Sequence, residues 1–318
     1  MKKNWTTRVA VALLALTMIT SCFVGSTFAK YVTKAQGEDN ARVAKWGVLL
    51  TVAGNAFATQ YAAEDQAYLA DGGEYSVVAS NGDQVVAPGT NSEQVGQTLV
   101  ATVKGTPEVA TRYALTGTVT DVVLPAGEGY VDYTELVKAA DGTYGYTGTF
   151  DLDKDYTPIL WNLVIEGKGQ TFNVATALYD ALSAYPNLLQ AAENLGFSRE
   201  GCSFFSAVEI LKKVAGNEGY VNIVGTALGN VVSGGRNFML EVDGDTFTLS
   251  YDFDPNKEMD FTFTLSWEWA FEQEDVELYD KADTYLGNIA AGIDGIVVPD
   301  GASVNISATL TASATQID

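Results

Sequence analysis

The clearest order in the chain is an alternation of apolar and polar side chains with a period of two. Phe261, Phe263, Leu265, Trp267 and Trp269 alternate with Thr262, Thr264, Ser266 and Glu268. Successive side chains of a strand point to opposite faces, so this run predicts a strand with one buried and one wet face. Phe247, Leu249, Tyr251 and Phe253 repeat the pattern. Between the two runs, Asp254-Pro-Asn-Lys-Glu-Met-Asp260 carries the turn residues Pro255 and Asn256 and reads as a hairpin loop. Phe238, Leu240 and Val242 begin another strand, closed by the turn Asp243-Gly244-Asp245. Near the C-terminus Val304, Ile306, Ala308, Leu310 and Ala312 face one way, and Asn305, Ser307, Thr309, Thr311 and Ser313 the other. Further strands are expected at residues 75–79, 97–104, 110–119 and 160–165. Many short strands with Gly, Pro and Asn turns predict a mainly β chain, a jelly-roll-like antiparallel β-sandwich rather than a βαβ sheet.

The middle of the chain changes period. Val174, Leu178, Leu182 and Tyr185 fall on one helical stripe, which Pro186 breaks or kinks before Leu188, Leu189, Ala192 and Leu195 resume it. Ser206-Ala-Val-Glu209 matches a capping box and predicts a short helix through Lys213. Residues 171–235 therefore read as a helical insertion in a single domain spanning 30–318.

The first 29 residues read as a secretory signal peptide. Lys2, Lys3 and Arg8 make a basic start, residues 9–25 are apolar, and Ser26-Thr-Phe-Ala29 places small side chains before a cut between Ala29 and Lys30. Two other fates are open. Ile19-Thr-Ser-Cys22 resembles a lipobox, in which Cys22 is lipidated and the protein is a membrane-anchored lipoprotein. Residues 9–29 are also uncharged and long enough to span a bilayer uncut. Secretion to the cell surface or extracellular matrix is the expectation. The last residues, Ala314-Thr-Gln-Ile-Asp318, show no wall-sorting signal.

Charge sharpens this picture. The net charge is −22, and removing the leader leaves 15 basic against 40 acidic residues, a charge of −25. Such a surface repels phosphates, so nucleic acid is not an expected partner. Only Cys202 remains as a thiol in the mature chain, which excludes an intramolecular disulfide, and in Gly201-Cys-Ser-Phe-Phe205 it reads as a buried small residue.

The sequence contains no histidine. That removes the serine-histidine triad, the cysteine-histidine pair and histidine zinc sites. No Walker loop or GxGxxG is present. No catalytic residue, cofactor or metal site is expected. Carboxylate pairs need no histidine, so a carboxylate-based hydrolase stays open as the lesser alternative. Asp151-Leu-Asp153-Lys-Asp155 and Asp252-Phe-Asp254-Pro-Asn256 alternate oxygen ligands, but both lack the Gly and Glu of an EF-type calcium loop and read as solvated turns. Trp267, Trp269 and Phe271 are either core or a sugar-stacking platform, the latter belonging to a cell-surface binding module for glycan or protein.

The run Gly25-Ser-Thr-Phe-Ala-Lys-Tyr-Val-Thr33, followed by Asp39-Asn-Ala-Arg-Val-Ala-Lys-Trp-Gly-Val48, resembles the start of TasA/camelysin-like exported proteins of Gram-positive bacteria. Val86-Ala-Pro-Gly-Thr90, Gly105-Thr-Pro-Glu-Val109, Trp267-Glu-Trp-Ala-Phe271 and Asp283-Thr-Tyr-Leu-Gly-Asn288 look similar to clostridial relatives. The resemblance touches both ends and leaves the helical middle uncovered. It implies a jelly-roll-like sandwich, export through a dedicated signal peptidase, and assembly with copies of itself or other matrix proteins into surface or biofilm-matrix fibres. In fibre-forming members an N-terminal strand is donated to a neighbour's sheet. Here the donor candidate presents Ala44, Trp46, Val48, Leu50 and Val52 on one face. The same segment equally reads as the first strand of its own sheet. The metalloprotease activity described for camelysin-type members is not carried over, because the chain has no histidine.

Overall fold

The computed structural model describes residues 43–62, 75–94, 96–167, 169–229, 231–270 and 276–317. Ala29, Lys30, Cys22 and Phe271 lie outside them. The chain is mainly β, and its strand pairings are antiparallel.

One sheet runs in the order β1 (Val48–Ala53), β5 (Leu99–Gly105), β13 (Met259–Trp269), β9 (Ile159–Gly167), β10 (Gln170–Asn173), with β4 (Thr90–Asn91) on the end of β13. The other runs β11 (Gly235–Asp243), β12 (Thr246–Phe253), β6 (Thr111–Thr120), β14 (Ser307–Gln316). Their apolar faces meet. Tyr113 of β6 stacks on Phe263 of β13 with ring centroids 5.5 Å apart, and Phe253 of β12 stacks on Phe261 at 5.7 Å. Such pairs add about 0.5–1.5 kcal/mol each beyond the area they bury.

The expected hairpin at residues 254–260 is not one. β12 and β13 belong to different sheets, so this segment crosses between layers. Alternation dictates which face of a strand is buried and says nothing of its neighbour. Asn256, at φ 64°, donates its amide to Pro107 O at 2.7 Å, tying this crossing to the one that joins β5 to β6. The turn at Asp243-Gly244-Asp245 does close a hairpin, with Asp243 opposite Thr246.

Four helices occur among the described residues: α1 (Val174–Leu182), α2 (Pro186–Glu193), α3 (Phe204–Leu228) and α4 (Val276–Ala291). The Asn173 side chain caps α1 through the Thr176 amide at 3.1 Å. Pro186 opens α2, where its missing N–H costs nothing. The capping box at Ser206 is not used. α3 starts earlier, with Phe204 and Phe205 packed on Phe247, and runs beyond Lys213 through a non-helical Gly216 (φ 66°, ψ 172°). α3 lies along β11 and β9, and α1 along β9 and β10, so the insertion closes one flank of the two sheets. Three bonds fasten it: Tyr220 Oη to Leu240 O, Lys212 Nζ to Val242 O at 2.8 Å, and Tyr251 Oη to Leu228 O at 3.1 Å.

Two hairpins stand apart from the sheets. β2 (Gln60–Ala62) pairs β3 (Tyr75–Val78), and β7 (Gly127–Lys138) pairs β8 (Tyr144–Leu152). The second is held to α4 by Lys281 and buried Asp132, 3.3 Å apart, and by Tyr285 against Tyr130 and Phe150. No helix of the described residues is long and apolar enough to cross a membrane.

Candidate functional site

The candidate donor residues occupy the flank opposite the helices. Val48, Leu50 and Val52 belong to β1, and Ala44 and Trp46 to the extended run before it. β1 pairs β5 of its own chain over six residues, from Val48 opposite Gly105 to Ala53 opposite Val100. Two glycines make this docking possible. A Cβ on Gly54 (φ 99°) would lie 1.9 Å from Thr98 O, and one on Gly105 would lie 2.3 Å from Gly47 O. Backbone at both ends of β1 thus approaches its partner too closely for any side chain. Lys45 reinforces the approach: its amide donates to Glu108 Oε2 at 3.0 Å, and its carbonyl accepts the Glu108 amide at 2.8 Å. Thr51 and Thr102 share a hydroxyl hydrogen bond across the pair.

Among the described residues β1 is bonded on one side, to β5. Among the described residues its outer edge has no paired strand, and neither has the outer edge of β14, which lies across from β1 and β5. The inner face here is incompletely covered. Val48 and Leu50 are half-buried, as are Ala308, Leu310, Ala312 and Ala314 of β14, and Val52 is 43% exposed; on the outer face Leu49 is 62% exposed.

The composition of these edges is the notable point. Neither Val-Leu-Leu-Thr-Val-Ala nor Ser-Ala-Thr-Leu-Thr-Ala-Ser-Ala-Thr-Gln contains a charge or a proline. Exposed edges invite further strands, and proteins ordinarily blunt them with charge, proline, bulges or a covering element. The far edges are blunted that way. β11 carries Arg236, Glu241 and Asp243, has a register shift between Arg236 and Met239, and lies against α3. β10 is short and lies against α1.

Other expected features sort differently. Trp267 and Trp269 are 1% and 5% exposed, so they are core and not a sugar platform. Trp267 donates its indole N–H to Ala56 O at 2.6 Å, and Trp269 donates to Asp283 Oδ1 at 3.2 Å. Cys202 is buried, and burial pushes its thiol pKa up. The acidic runs lie at the surface, apart from buried Asp252, and several of their carboxylates bond within the chain. Asp151 accepts the Gly129 amide at 2.6 Å, and Asp155 accepts that of Ala126 at 2.8 Å. Asp252 accepts two bonds from Arg112, at 2.6 and 2.9 Å, and one from Asn237 at 3.0 Å. The hydrogen bonds and charge of Arg112 hold the Asp252 carboxyl below its usual range. Asp254 pairs with Arg236 at 2.7 Å. Three further carboxylates, Glu166, Glu258 and Asp260, line an open cleft of about 550 Å³, where Asp260 meets Lys104 at 3.3 Å. Among the described residues no three acidic or cysteine side chains converge as a metal would require.

Residue alternation located β14 but not its position at the end of a sheet. The absence of charge and proline over ten residues was the available signal. Comparison of the chain with known protein families, with curated proteins and with solved structures finds no match in any of the three.

Proposed function

We propose that the chain is a non-catalytic, exported structural protein of the cell surface or biofilm matrix, built on a jelly-roll-like sandwich, whose copies join through the β1–β14 flank. The reading rests on the unguarded pair of edges on that flank. β1 is the element suited to exchange. Among the described residues it makes strand pairs with β5 alone, so moving it to the β5 of a neighbour breaks no other ladder among them and remakes the same bonds. The TasA/camelysin-like N-terminus and the missing histidine support the same reading.

A cross-link tests it. Thr51 and Thr102 are register partners, so Thr51→Cys with Thr102→Cys, in a Cys202→Ala background and in the chain from Lys30 onward, reports who pairs with whom. Exchange predicts a ladder of covalent oligomers on a denaturing gel after oxidation. Cross-linked monomer alone, under conditions where particles are seen by electron microscopy, overturns strand exchange.

A further inference from the structure

The β7–β8 hairpin is an arm. β7 is 12 residues long, about 40 Å as a strand, and the pair is buried at its base, through Tyr130, Asp132, Phe150 and Leu152. Farther out, Leu136, Val137, Tyr144 and Tyr146 are exposed, Tyr144 to 66% and Tyr146 to 45%. A two-stranded ribbon is marginal in water on its own, and further strands are what stabilise it.

The two edges of the arm differ. β7 carries Glu135 and Lys138, is broken by register shifts and lies against α4. β8 has no charge or proline from Tyr144 to Phe150, and among the described residues its outer edge pairs with no strand. The Ala139 amide donates to Thr143 O at 2.7 Å, so Thr143 faces β7. Alternation along the strand then turns the backbone groups of Tyr144 and Tyr146 outward and those of Gly145 inward.

This edge has a self-complementary sequence. Gly142-Thr-Tyr-Gly-Tyr-Thr-Gly148 is a palindrome of seven residues centred on Gly145. In an antiparallel twofold contact, residues equally far before and after the axis oppose each other. With the axis at Gly145, each residue meets its own kind: Gly145 faces Gly145, Tyr144 faces Tyr146, and Thr143 faces Thr147. The outward backbone groups of Tyr144 and Tyr146 make the hydrogen-bonded pairs, and their rings share one face. Aromatic pairs and threonine pairs are favourable cross-strand combinations. The seven residues carry no charge, so two copies of an acidic protein can close on one another there.

We infer that the tip of the arm is a twofold contact with the arm of a second copy. The contact is a four-stranded junction with the two bodies at its opposite ends. So short an edge falls below the interface size that holds a dimer by itself, so it acts between copies already held side by side. Its role as a lateral tie between assembled chains rests on the flank reading above; the pairing itself uses neither β1 nor β14.

The test places Gly145→Cys in a Cys202→Ala background of the chain from Lys30 onward. A Cβ at Gly145 meets nothing within 4 Å, and the pairing sets residue 145 opposite its twin. Mild oxidation is expected to give a disulfide dimer, forming about tenfold or more faster than with Val137→Cys, an exposed position on β7. Adding Tyr146→Lys puts a charge opposite the partner's Tyr144. With circular dichroism unchanged, it is expected to return the rate to that of the control. It is also expected to separate bundled fibres into single ones while the ladder from Thr51→Cys with Thr102→Cys persists. Equal rates at positions 145 and 137 overturn the inference, and so does fast cross-linking that Tyr146→Lys leaves unchanged. Bundles undiminished by Tyr146→Lys overturn the lateral role. The rates are read on protein in solution, so a chain that forms no fibres sinks the flank reading while the rates still decide the pairing.

Discussion

Asp283 shows how much a single side chain of this protein decides. Burial, more than any other cause, pushes its carboxyl pKa from 3.8 up to about 6, while Tyr156 Oη at 2.7 Å and the Trp269 indole at 3.2 Å both donate to its Oδ1. A raised pKa means the folded state holds the proton more tightly. Its stabilisation is complete below about pH 4 and is lost as the pH rises through 6. Asp283→Asn keeps an acceptor for both donors and cannot ionise. The variant is expected to be more stable than the parent at about pH 8, by roughly 1–3 kcal/mol, and equal to it near pH 4. Matched denaturant titrations at the two pH values check this, and a constant difference rules it out. Asp252 acts in the opposite sense. Its pKa is depressed by Arg112, so its contribution is present at neutral pH and fades as the pH falls below the ordinary carboxylate range. At Gly54 the constraint is steric. Gly54→Ala places a methyl 1.9 Å from Thr98 O at φ 99° and is expected to cost about 1–3 kcal/mol, read as a lower urea midpoint with an unchanged slope.

At the scale of elements, β14 is where a small change should have the largest effect. Ala312→Lys points a charge inward from the edge strand, the device that guards natural edges. The monomer is expected to keep its circular dichroism and lose the ability to assemble; undiminished fibres would show that β14 takes no part. The same scale separates what was legible in the sequence from what was not. In Thr246–Phe253 the pattern names the buried Phe247, Leu249, Tyr251 and Phe253 but misses Ser250 and Asp252, which are buried on the opposite face. A strand with one wet face, such as Thr111–Thr120, announces itself by alternation. β7 and β8 do not, because register shifts between Gly127 and Tyr130 and between Asp132 and Leu136 break the period of two. α4 was also missed, although Leu278, Ala282, Tyr285, Leu286 and Ile289 recur at helical spacing; among its described residues Ala282, Tyr285 and Leu286 are buried, and Leu278, Tyr279 and Ile289 pack half-buried against the core. Partner choice was invisible altogether. Nothing local to residues 254–260 says whether the chain turns back or crosses to the other sheet, and nothing local to β14 says that it ends one.

For the whole molecule, charge and edge act against each other. Copies without the leader, carrying −25, repel, while the strands through which they meet are neutral. Salt shortens the reach of the repulsion to about 10 Å at 0.1 M and leaves strand pairing largely untouched. Assembly is therefore expected to quicken as sodium chloride rises from about 10 to 300 mM, followed by light scattering; slower assembly would mean that ion pairs, not edges, hold the copies together. The one-sided placement of those edges has a consequence for valence. Helices, charge and a register shift cap the far flank, so simple edge pairing of the two sheets gives each molecule a single flank to offer. Two copies would satisfy each other and growth would stop at a twofold pair. Passing β1 onward instead creates two unlike ends, a donated strand and a vacated groove, and every addition regenerates both. The same flank thus specifies either a chain terminator or a chain, according to whether β1 stays at home.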